Sequence, residues 1–465
     1  MTSRMVVLTV AWLGVLAAAA WLRLDDLAVR PFHCDEATGA RLVAKRMETG
    51  RPQFDPTHFH GPIQCLLAEP LCRALGEERW ADFSKGTLRL LPAVFGILTV
   101  AVPLLGRRRW GDGAMLLAGA LLAVAPLLVY YSRMFIHETL LGWAGLLAVV
   151  GLLAFPRWGL PGLFLALMFA AKESFIITVI AMICAGVALA VWQWRDWDRT
   201  DAAAWVARHR RPALVSLAVF LVVTAGIYSD GFRHWQGVRE AAETFFVYQT
   251  GAGHDQPFHH YLLLLLWPVR SAGMWWFGTP VAALAAVAVV RTLLPGGMDR
   301  ATRLVVRYLA LLAGAHFVGY GLIAYKTPWL MVLPWILVCV LAGFSVAGWS
   351  PGRWRWSGWV MAACVALTLV SQVRQARFAT GRLAADPRNP FAYVPTRANI
   401  EGVEVWLGQL RAVAPGRSIV PIGVVGHGYW PLPWYLRKFE PVGYWQADGV
   451  PPGVKDFPVV FVMPE

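Results

Sequence analysis

Eleven long apolar segments, most of them close to the length that crosses a bilayer as a helix, constrain this chain more than any other feature. A helix of about 20 apolar residues spans the hydrocarbon core. The composition agrees, since 57% of the residues are hydrophobic and only 15% are charged, against about 25% charged in soluble domains. We therefore predict an all-α polytopic membrane protein with about 11 transmembrane helices. The segments lie near residues 5–22, 87–106, 113–131, 138–155, 159–171, 173–194, 212–229, 271–294, 303–324, 329–347 and 356–372.

The charge distribution orients this predicted bundle. The formal net charge is +14, and arginines concentrate in short segments between apolar blocks, as at Arg107–Arg109 and Arg208–Arg211. Cytoplasmic loops of membrane proteins carry such an excess, so the positive charge requires no nucleic-acid partner. With these loops inside and an odd number of spans, the N-terminus is cytoplasmic and the C-terminal end is extracytoplasmic. We predict a multi-pass protein of the inner cell membrane.

Two long polar regions fall on the predicted outer side. The first outer loop, about 23–86, contains a helical pattern at 37–48 and an apolar stretch at 61–75 that is too short to span, so we predict interfacial helices there. Similar short pieces lie at 232–250 and 259–269. The tail combines a helical pattern at 397–413 with strand-like runs at 418–425 and 457–462, which favours an α/β unit. The predicted division is a transmembrane domain, 1–375, and a small extracytoplasmic α/β domain, 376–465.

The most informative residues for function are Asp35 and Glu36, which begin the polar stretch after the first apolar block. Adjacent carboxylates just outside a bilayer suit a general base or a metal ligand that faces a membrane-borne substrate. The structural alternative is that they favour the N-terminus of the helix predicted at 37–48. The two roles are compatible, and we predict that Asp35 and Glu36 are catalytic.

Histidines later in the same loop are predicted to contact the substrate. His58 and His60 precede a Gly-Pro turn, where they could bind a phosphate, fix the turn or hold a metal ion. If a divalent metal is present, its predicted ligands are Asp35, His60 and Glu138, because imidazole and carboxylate groups are common metal ligands. No cofactor follows with certainty from the sequence.

Ionisable residues between later spans complete the predicted site. Such residues are costly near hydrocarbon and are usually functional or paired. Because all of them fall on the predicted outer side, we expect one pocket with acidic and basic walls, which suits a phosphate leaving group. The alternatives are a snorkelling side chain at Arg133 and mutual pairing of Lys172 and Glu173. The predicted substrate- and phosphate-binding residues here are Arg133, His137, Glu138, Lys172, Glu173 and Lys326.

The cysteines carry little functional information. Cys34, Cys65 and Cys72 share the first outer loop, so a disulfide between two of them is left open, with one cysteine over and no metal-ligand spacing. The other three cysteines lie in apolar blocks and are predicted to pack as small hydrophobic residues.

Short motifs at these residues resemble those of the GT-C superfamily of membrane glycosyltransferases, near the dolichyl-phosphate-mannose–protein mannosyltransferases and the lipid A aminoarabinose transferases. They are FHCDEA at 32–37, YSR at 131–133 and GLFLALMFAAK at 162–172. A closer resemblance is to mannosyltransferase-like proteins described as flippase-activity-associated. It rests on FHGP at 59–62, YKTPWL at 325–330, NPFAYV at 389–394 and PWYLR at 433–437.

The resemblance implies a GT-C-like fold and a glycosyltransferase that moves a sugar, with inversion, from a polyprenyl-phosphate carrier to an acceptor on the extracytoplasmic face. Asp35 would match the acidic first-loop residue that activates the acceptor. Arg133, Lys172 and Lys326 would stabilise the leaving phosphate. The implied partners are the sugar lipid, membrane lipids and an acceptor protein, glycan or lipid.

The chain departs from these families at one point, and a second function stays open. Aminoarabinose transferases carry a Glu-Lys-Pro-Pro element where this chain has His60-Gly-Pro, and the superfamily divides on metal dependence.

The alternative function is a transporter or flippase-associated protein that binds a lipid-linked sugar without chemistry, using the same cations to hold the phosphate. The sugar, the acceptor and the polyprenol length do not follow from the sequence.

Overall fold

The structure, a computed structural model, describes residues 3–51, 54–58, 60–155, 159–193, 199–247, 253–348, 356–413 and 415–463. Phe59 of the FHGP motif lies outside the described residues, as do the ends of the segments predicted at 173–194 and 232–250. Most of the described chain is helical, as the apolar segments predict.

The helices and strands are numbered in chain order. The helices are α1 (Ser3–Leu24), α2 (Cys34–Thr49), α3 (Ile63–Ala74), α4 (Lys85–Ala101), α5 (Arg107–Trp110), α6 (Asp112–Val124), α7 (Pro126–Tyr131), α8 (Glu138–Ala154), α9 (Leu160–Ala171), α10 (Phe175–Trp192), α11 (Arg199–Tyr228), α12 (Gln236–Val247), α13 (His260–Leu266), α14 (Thr279–Arg291), α15 (Arg300–Leu322), α16 (Val332–Gly343), α17 (Trp356–Thr380), α18 (Glu401–Val413) and α19 (Leu432–Leu436). The strands are β1 (Val269–Ser271), β2 (Met274–Trp276), β3 (Ile422–Val425), β4 (Val442–Trp445) and β5 (Val459–Val462).

The chain is a multi-pass membrane protein. Among the described residues, seven helical segments are long and apolar enough to cross a membrane, and α6, α8, α9 and α14 are shorter apolar helices. Each of these falls on one of the predicted spans. The count of eleven spans stays a prediction, because the four short helices do not reach the full length of a bilayer crossing by themselves.

Proline and glycine shape two places that hydropathy alone treats as continuous. The span predicted at 113–131 is interrupted at Pro126, which has no backbone N–H, so α6 ends and α7 begins there. The span predicted at 271–294 begins later than expected, since β1 and β2 form an antiparallel hairpin before α14. Its turn has positive φ at Ala272 (52°) and Gly273 (78°), as tight hairpins require.

Helix α16 is the centre of the bundle. Every residue from Val332 to Gly343 is buried, and the helix packs against α6, α8, α14 and α15. A helix that is apolar on all sides belongs in such a core. By contrast, α1, α10, α11 and α17 bury only 11–22% of their apolar windows, as expected of helices whose outer faces meet lipid.

The first loop folds into the two short helices that its patterns predict. Helices α2 and α3 pack on each other, and α3 also packs on α4 and α9. The pieces predicted at 232–250 and 259–269 contain α12 and α13, the second of which leads into β1. These short helices place several polar segments near the same ends of the long helices.

The C-terminal residues form a parallel three-stranded sheet in the order β4-β3-β5, accompanied by α18 and α19. The predicted helix and two predicted strands are present, and the short strand β4 is additional. Residues 375 and 376, the predicted domain boundary, lie inside α17. Leu383 and Phe391 still pack in the membrane core, whereas the core of the sheet includes Leu407 and Ile422. The boundary of the α/β unit stays a prediction, and this packing favours a position after Phe391.

Candidate functional site

A cavity of about 540 Å³ lies where the first loop meets the ends of several membrane helices. Its walls come from α2 and α3, the turn before α8, the junction between α9 and α10, α12, and the segment that follows α15. This size and this mixture of apolar and convergent polar groups are typical of small-molecule sites. Seven of the predicted site residues line it: Asp35, His58, His60, His137, Glu138, Lys172 and Glu173.

Asp35 is the most exposed of the three carboxylates that line this cavity. It is the second residue of α2, whose N-cap is His33. Its side chain is 49% exposed, with Oδ1 3.6 Å from Cys34 Sγ and Oδ2 3.6 Å from His33 Nδ1. A carboxylate in the first turn of a helix is stabilised by the positive end of the helix dipole. Asp35 is thus accessible to a ligand while its backbone is held by the helix.

Glu36 has a different position, away from the cavity lining. It is fully buried and accepts two hydrogen bonds from Arg89, at 2.7 and 2.8 Å. The backbone N–H groups of His33 and Phe135 also donate to it. Burial alone would raise the pKa of Glu36, but Arg89 and Arg30 more than offset this and lower it to about 2. Glu36 is therefore an ionic anchor in this structure. Its side chain has no exposed surface through which it could make the predicted catalytic contact with substrate.

Arg133 also lies outside the cavity lining. Its guanidinium donates to the backbone carbonyls of Leu22, Asp25 and Asp26 at 2.6–3.0 Å. These carbonyls belong to the C-terminal end of α1 and the turn after it, where helical carbonyls have no partner within the helix. Arg133 therefore caps a helix in this structure, and the predicted phosphate contact is replaced by carbonyl contacts.

Lys326 is buried and likewise binds backbone carbonyls. Its ammonium donates to the carbonyl of Gln256, at 2.9 Å, and to that of Ile323. The residues on either side of it in sequence, Tyr325 and Thr327, line the cavity. Lys326 thus stabilises the backbone behind the cavity wall, and its ammonium does not line the cavity.

The wall of the cavity that carries its lysine is formed at the α9–α10 junction. Lys172 lies at the C-terminal end of α9, and its ammonium is 2.7 Å from the carboxylate of Glu138 at the start of α8. Both groups suit the helix dipoles at these ends. Glu173, which the sequence analysis considered as an alternative partner of Lys172, pairs with His60.

The histidines extend this wall. His60 Nδ1 lies 3.0 Å from Glu173, and the His60 and His137 rings meet edge-to-face at 5.1 Å. Burial, with His60 and Lys172 nearby, lowers the pKa of His137 well below its usual value, so this ring is neutral. Burial would raise the pKa of Glu173, but His60 and Lys172 lower it below its usual value. His58 is exposed and contacts Asp55 at 3.4 Å.

The predicted metal ligands do not come together in the described residues. The group whose ligand atoms lie within 4.8 Å of one another is His33, Cys34 and Asp35. Thiol, imidazole and carboxylate form a donor set that suits zinc. The fit is incomplete, because His33 Nδ1 already accepts the N–H of Asp35 at 3.2 Å, and burial, with Asp35 nearby, raises the pKa of the Cys34 thiol to about 12. Cys34, Cys65 and Cys72 are all free thiols.

Several residues of the site were not identified from the sequence. Tyr325 and Trp329 line the cavity, and Trp329 meets Tyr393 edge-to-face at 5.0 Å. Gln64 lines it from α3, and its buried Oε1 has no hydrogen-bond partner among the described residues. The available signal was the aromatic content of the YKTPWL and NPFAYV motifs, which place Tyr and Trp beside polar residues in predicted outer segments.

Comparison with known proteins identifies the fold. No family model and no curated protein sequence matches this chain. The structure is similar to ArnT from Cupriavidus metallidurans in the apo state, with a TM-score of 0.63 and 16% identity over 95% of this chain and 86% of that one. The same protein bound to undecaprenyl phosphate gives a TM-score of 0.60 at the same identity and coverage.

A second similar structure is the archaeal oligosaccharyltransferase AglB from Archaeoglobus fulgidus in complex with an inhibitory peptide and a dolichol-phosphate. Its TM-score is 0.59, at 14% identity over 94% of this chain and 64% of that one. The resemblance read from the motifs is therefore confirmed at the level of the fold, which this chain shares with ArnT and AglB. At these identities, the activity has to be judged from the cavity.

Proposed function

We propose that this protein is an integral-membrane glycosyltransferase that takes its sugar from a polyprenyl-phosphate carrier. The observation that carries the proposal is a single cavity with an accessible carboxylate, Asp35, on one wall and the Lys172–Glu138 and His60–Glu173 pairs on another. A base and a cation that face one space are what attack on a phosphate-activated sugar requires.

The apolar part of the cavity supports a lipid carrier. Ile176 and Ile177 begin α10, and Ile323 follows the end of α15. Ile176 and Ile323 are also 39% and 37% exposed on the side of the bundle. A phosphate held near Lys172 would therefore have an apolar path beside it for a polyprenyl chain. The solved ArnT and AglB structures named above contain undecaprenyl phosphate and dolichol-phosphate, respectively.

In the proposed reaction, Asp35 accepts the proton of an acceptor hydroxyl. The hydroxyl oxygen forms a bond to the anomeric carbon as the bond from that carbon to the phosphate oxygen breaks, so the configuration inverts. The polyprenyl phosphate leaves toward Lys172, whose positive charge stabilises the developing negative charge. The extracytoplasmic placement of this cavity, and of the C-terminal unit, follows from the loop charges and is part of the proposal.

The described residues that would hold a divalent metal ion are His33, Cys34 and Asp35. There it would supply positive charge beside Asp35 and compete with the cap of α2. A solved structure of the Archaeoglobus fulgidus oligosaccharyltransferase contains zinc and sulfate, which makes zinc the first ion to add in an assay.

The experiment uses the full-length protein in lipid nanodiscs with a panel of polyprenyl-phosphate sugars and simple acceptors. Asp35→Asn keeps the size of the side chain but removes the base, so we expect kcat to fall by about 10²–10⁴-fold. Glu48→Gln is the matched control, because Glu48 lies on the same helix and pairs with Arg41 on the surface. Full activity of Asp35→Asn would contradict the proposed base.

The transporter hypothesis is separated by a second measurement. In liposomes, a transporter moves the sugar lipid between leaflets without forming product, and this movement should survive Asp35→Asn but fail in Lys172→Ala. A glycosyltransferase forms product or hydrolyses the donor, and loses both in Asp35→Asn. Movement without any transfer by the wild-type protein would favour the transporter.

A further inference from the structure

His33 connects the proposed base to the C-terminal part of the chain. It precedes Asp35 by two residues, caps α2 and is only 6% exposed. The backbone N–H of Asp35 lies 3.2 Å from His33 Nδ1. On the other side of the ring, the carbonyl oxygen of Tyr393 lies 3.2 Å from Nε2. Both ring nitrogens are therefore engaged by backbone groups that are far apart in sequence.

These two contacts determine the tautomer of the ring. A carbonyl oxygen only accepts, so Nε2 carries the proton and donates it to Tyr393. A backbone N–H only donates, so Nδ1 is the acceptor for Asp35. The usual N-cap side chains, Asn, Asp, Ser and Thr, provide the acceptor but are too short to provide the second contact. A histidine at this position does both.

The Tyr393 carbonyl is itself held in place. Asn389 donates to the carbonyls of Ala379 and Leu383, each at 3.1 Å, and Tyr131 donates to the carbonyl of Phe391 at 2.6 Å. Val394 has φ 39°, a value that a β-branched residue adopts only when its surroundings impose it. The segment 389–394 is thus a fixed point on the membrane domain, and His33 ties the first turn of α2 to it.

We propose that His33 is a positioning residue, which sets the location of the Asp35 carboxylate in the cavity by linking α2 to the Tyr393 carbonyl. The inference rests on the proposed function of Asp35. It deepens that function, because a displacement of about 1 Å of a reacting group can cost about 100-fold in rate. A cap alone would leave α2 intact but free to shift relative to the opposite wall.

Three substitutions separate the two contacts. His33→Asn keeps an acceptor near the Nδ1 position and has no donor at the Nε2 position. His33→Gln keeps a donor near the Nε2 position and lacks the capping acceptor, and His33→Ala lacks both. His427→Asn, at an exposed histidine of the C-terminal unit, is the control. Each variant is made in the full chain, and kcat, KM for the donor lipid and the thermal unfolding temperature are measured.

We expect His33→Asn to keep the unfolding temperature of the wild type while kcat falls about tenfold or more, with KM for the donor unchanged. His33→Gln should unfold at a lower temperature and keep most of its kcat. If His33→Asn is fully active, or if kcat and unfolding temperature fall together in all three variants, His33 is only a structural cap and the proposal is wrong.

Hydrogen exchange tests the contact between His33 and Tyr393 without an activity assay. Peptides that cover 28–38, the entry to α2, should exchange faster in His33→Asn than in the wild type, while the fixed segment 384–396 is unchanged. Equal exchange of 28–38 in the two proteins would overturn the link. If the wild type transfers no sugar while the exchange difference is present, the proposed function of Asp35 fails and the contact between His33 and Tyr393 stands, so the two failures are distinguishable.

Discussion

At the scale of single residues, Asp35 and Glu36 show how adjacent carboxylates acquire different roles. Successive side chains on a helix point about 100° apart, so one faces the cavity and the other faces the protein. Glu36 meets Arg89 in a pair that is fully buried on both sides. Such a pair is costly to break, because the remaining charge has no partner and no water. The same turn of α2 thus provides an accessible acid and the anchor that holds it.

This anchor makes a pH prediction. The pKa of Glu36 is lowered from 4.5 to about 2, so the pair contributes stability above pH 4.5 and loses it as the pH falls toward 2. The contribution is about 3 kcal/mol at neutral pH. Compared with Glu36→Gln, the wild type should have a higher free energy of unfolding at pH 6, and this difference should shrink toward pH 2. Chemical unfolding in detergent at a series of pH values measures it.

Other carboxylates titrate in the same range, which is why the difference between the two proteins is the quantity to follow. Arg79→Gln provides a control, since Arg79 pairs with Asp82 on the surface and exposed pairs contribute little. A difference between wild type and Glu36→Gln that stays constant from pH 6 to pH 2 would contradict the assignment of Glu36 as a buried ionised group.

At the scale of elements, the site is assembled from helix ends. Asp35 and Glu138 lie at the starts of α2 and α8, and Lys172 lies at the end of α9. Acids at N-terminal ends and a base at a C-terminal end are each favoured by the helix dipole. The cavity therefore depends on how closely these helices approach one another, which glycines control at their crossings.

The crossing of α9 and α11 gives a packing prediction. A Cβ at Gly162 would lie 1.8 Å from the backbone oxygen of Ser216, so Gly162→Ala must push the two helices apart. Overpacking of this kind costs about 1–3 kcal/mol. Thermal unfolding in detergent should show a clear loss of stability. Gly186→Ala on α10 is the matched control, because a Cβ there meets nothing within 4 Å, and it should unfold like the wild type. A stable Gly162→Ala would show that the helices are packed less closely.

At the scale of the whole molecule, the C-terminal unit is joined to the first loop by aromatic packing. Trp434 packs against Phe32 with the ring centroids 4.0 Å apart and meets Trp80 at 5.7 Å. The hydroxyl of Tyr435 accepts the N–H of Phe32 at 2.9 Å. Phe32 is the residue before His33, so the α/β unit supports the same short segment that carries the proposed base.

Removal of Trp434 should therefore separate the two parts of the molecule. Trp434→Ala deletes a buried aromatic side chain, a change that costs about 3–5 kcal/mol. Limited proteolysis in nanodiscs should release the C-terminal unit faster than in the wild type, and sugar transfer should fall with it. Trp406→Ala is the control, since Trp406 is half-exposed on α18. Unchanged proteolysis of Trp434→Ala would mean that other contacts, such as the donation from Arg437 to the Phe83 carbonyl, hold the unit in place.

Hydropathy was sufficient to predict most of the membrane helices, because the bilayer selects length and apolarity directly. It located α1, α10 and α15 to within a few residues at both ends. Helix α4 ends before the predicted 106, α11 begins well before the predicted 212, and α17 ends well after the predicted 372. It was not sufficient at Pro126 or at the β1–β2 hairpin, where backbone geometry interrupts an apolar run. The α/β character of the tail was also predictable, but the short strand β4 was not.

The amino-acid sequence by itself determined the membrane class, the GT-C resemblance and seven of the residues that line the cavity. These follow from local composition and short motifs. Only the tertiary structure decided that Glu36, Arg133 and Lys326 bind other parts of the protein, and that His33 joins Asp35 to Tyr393, some 360 residues away in the chain. The reason is physical: the partner that a charged side chain finds depends on contacts between distant segments, and no local pattern records them.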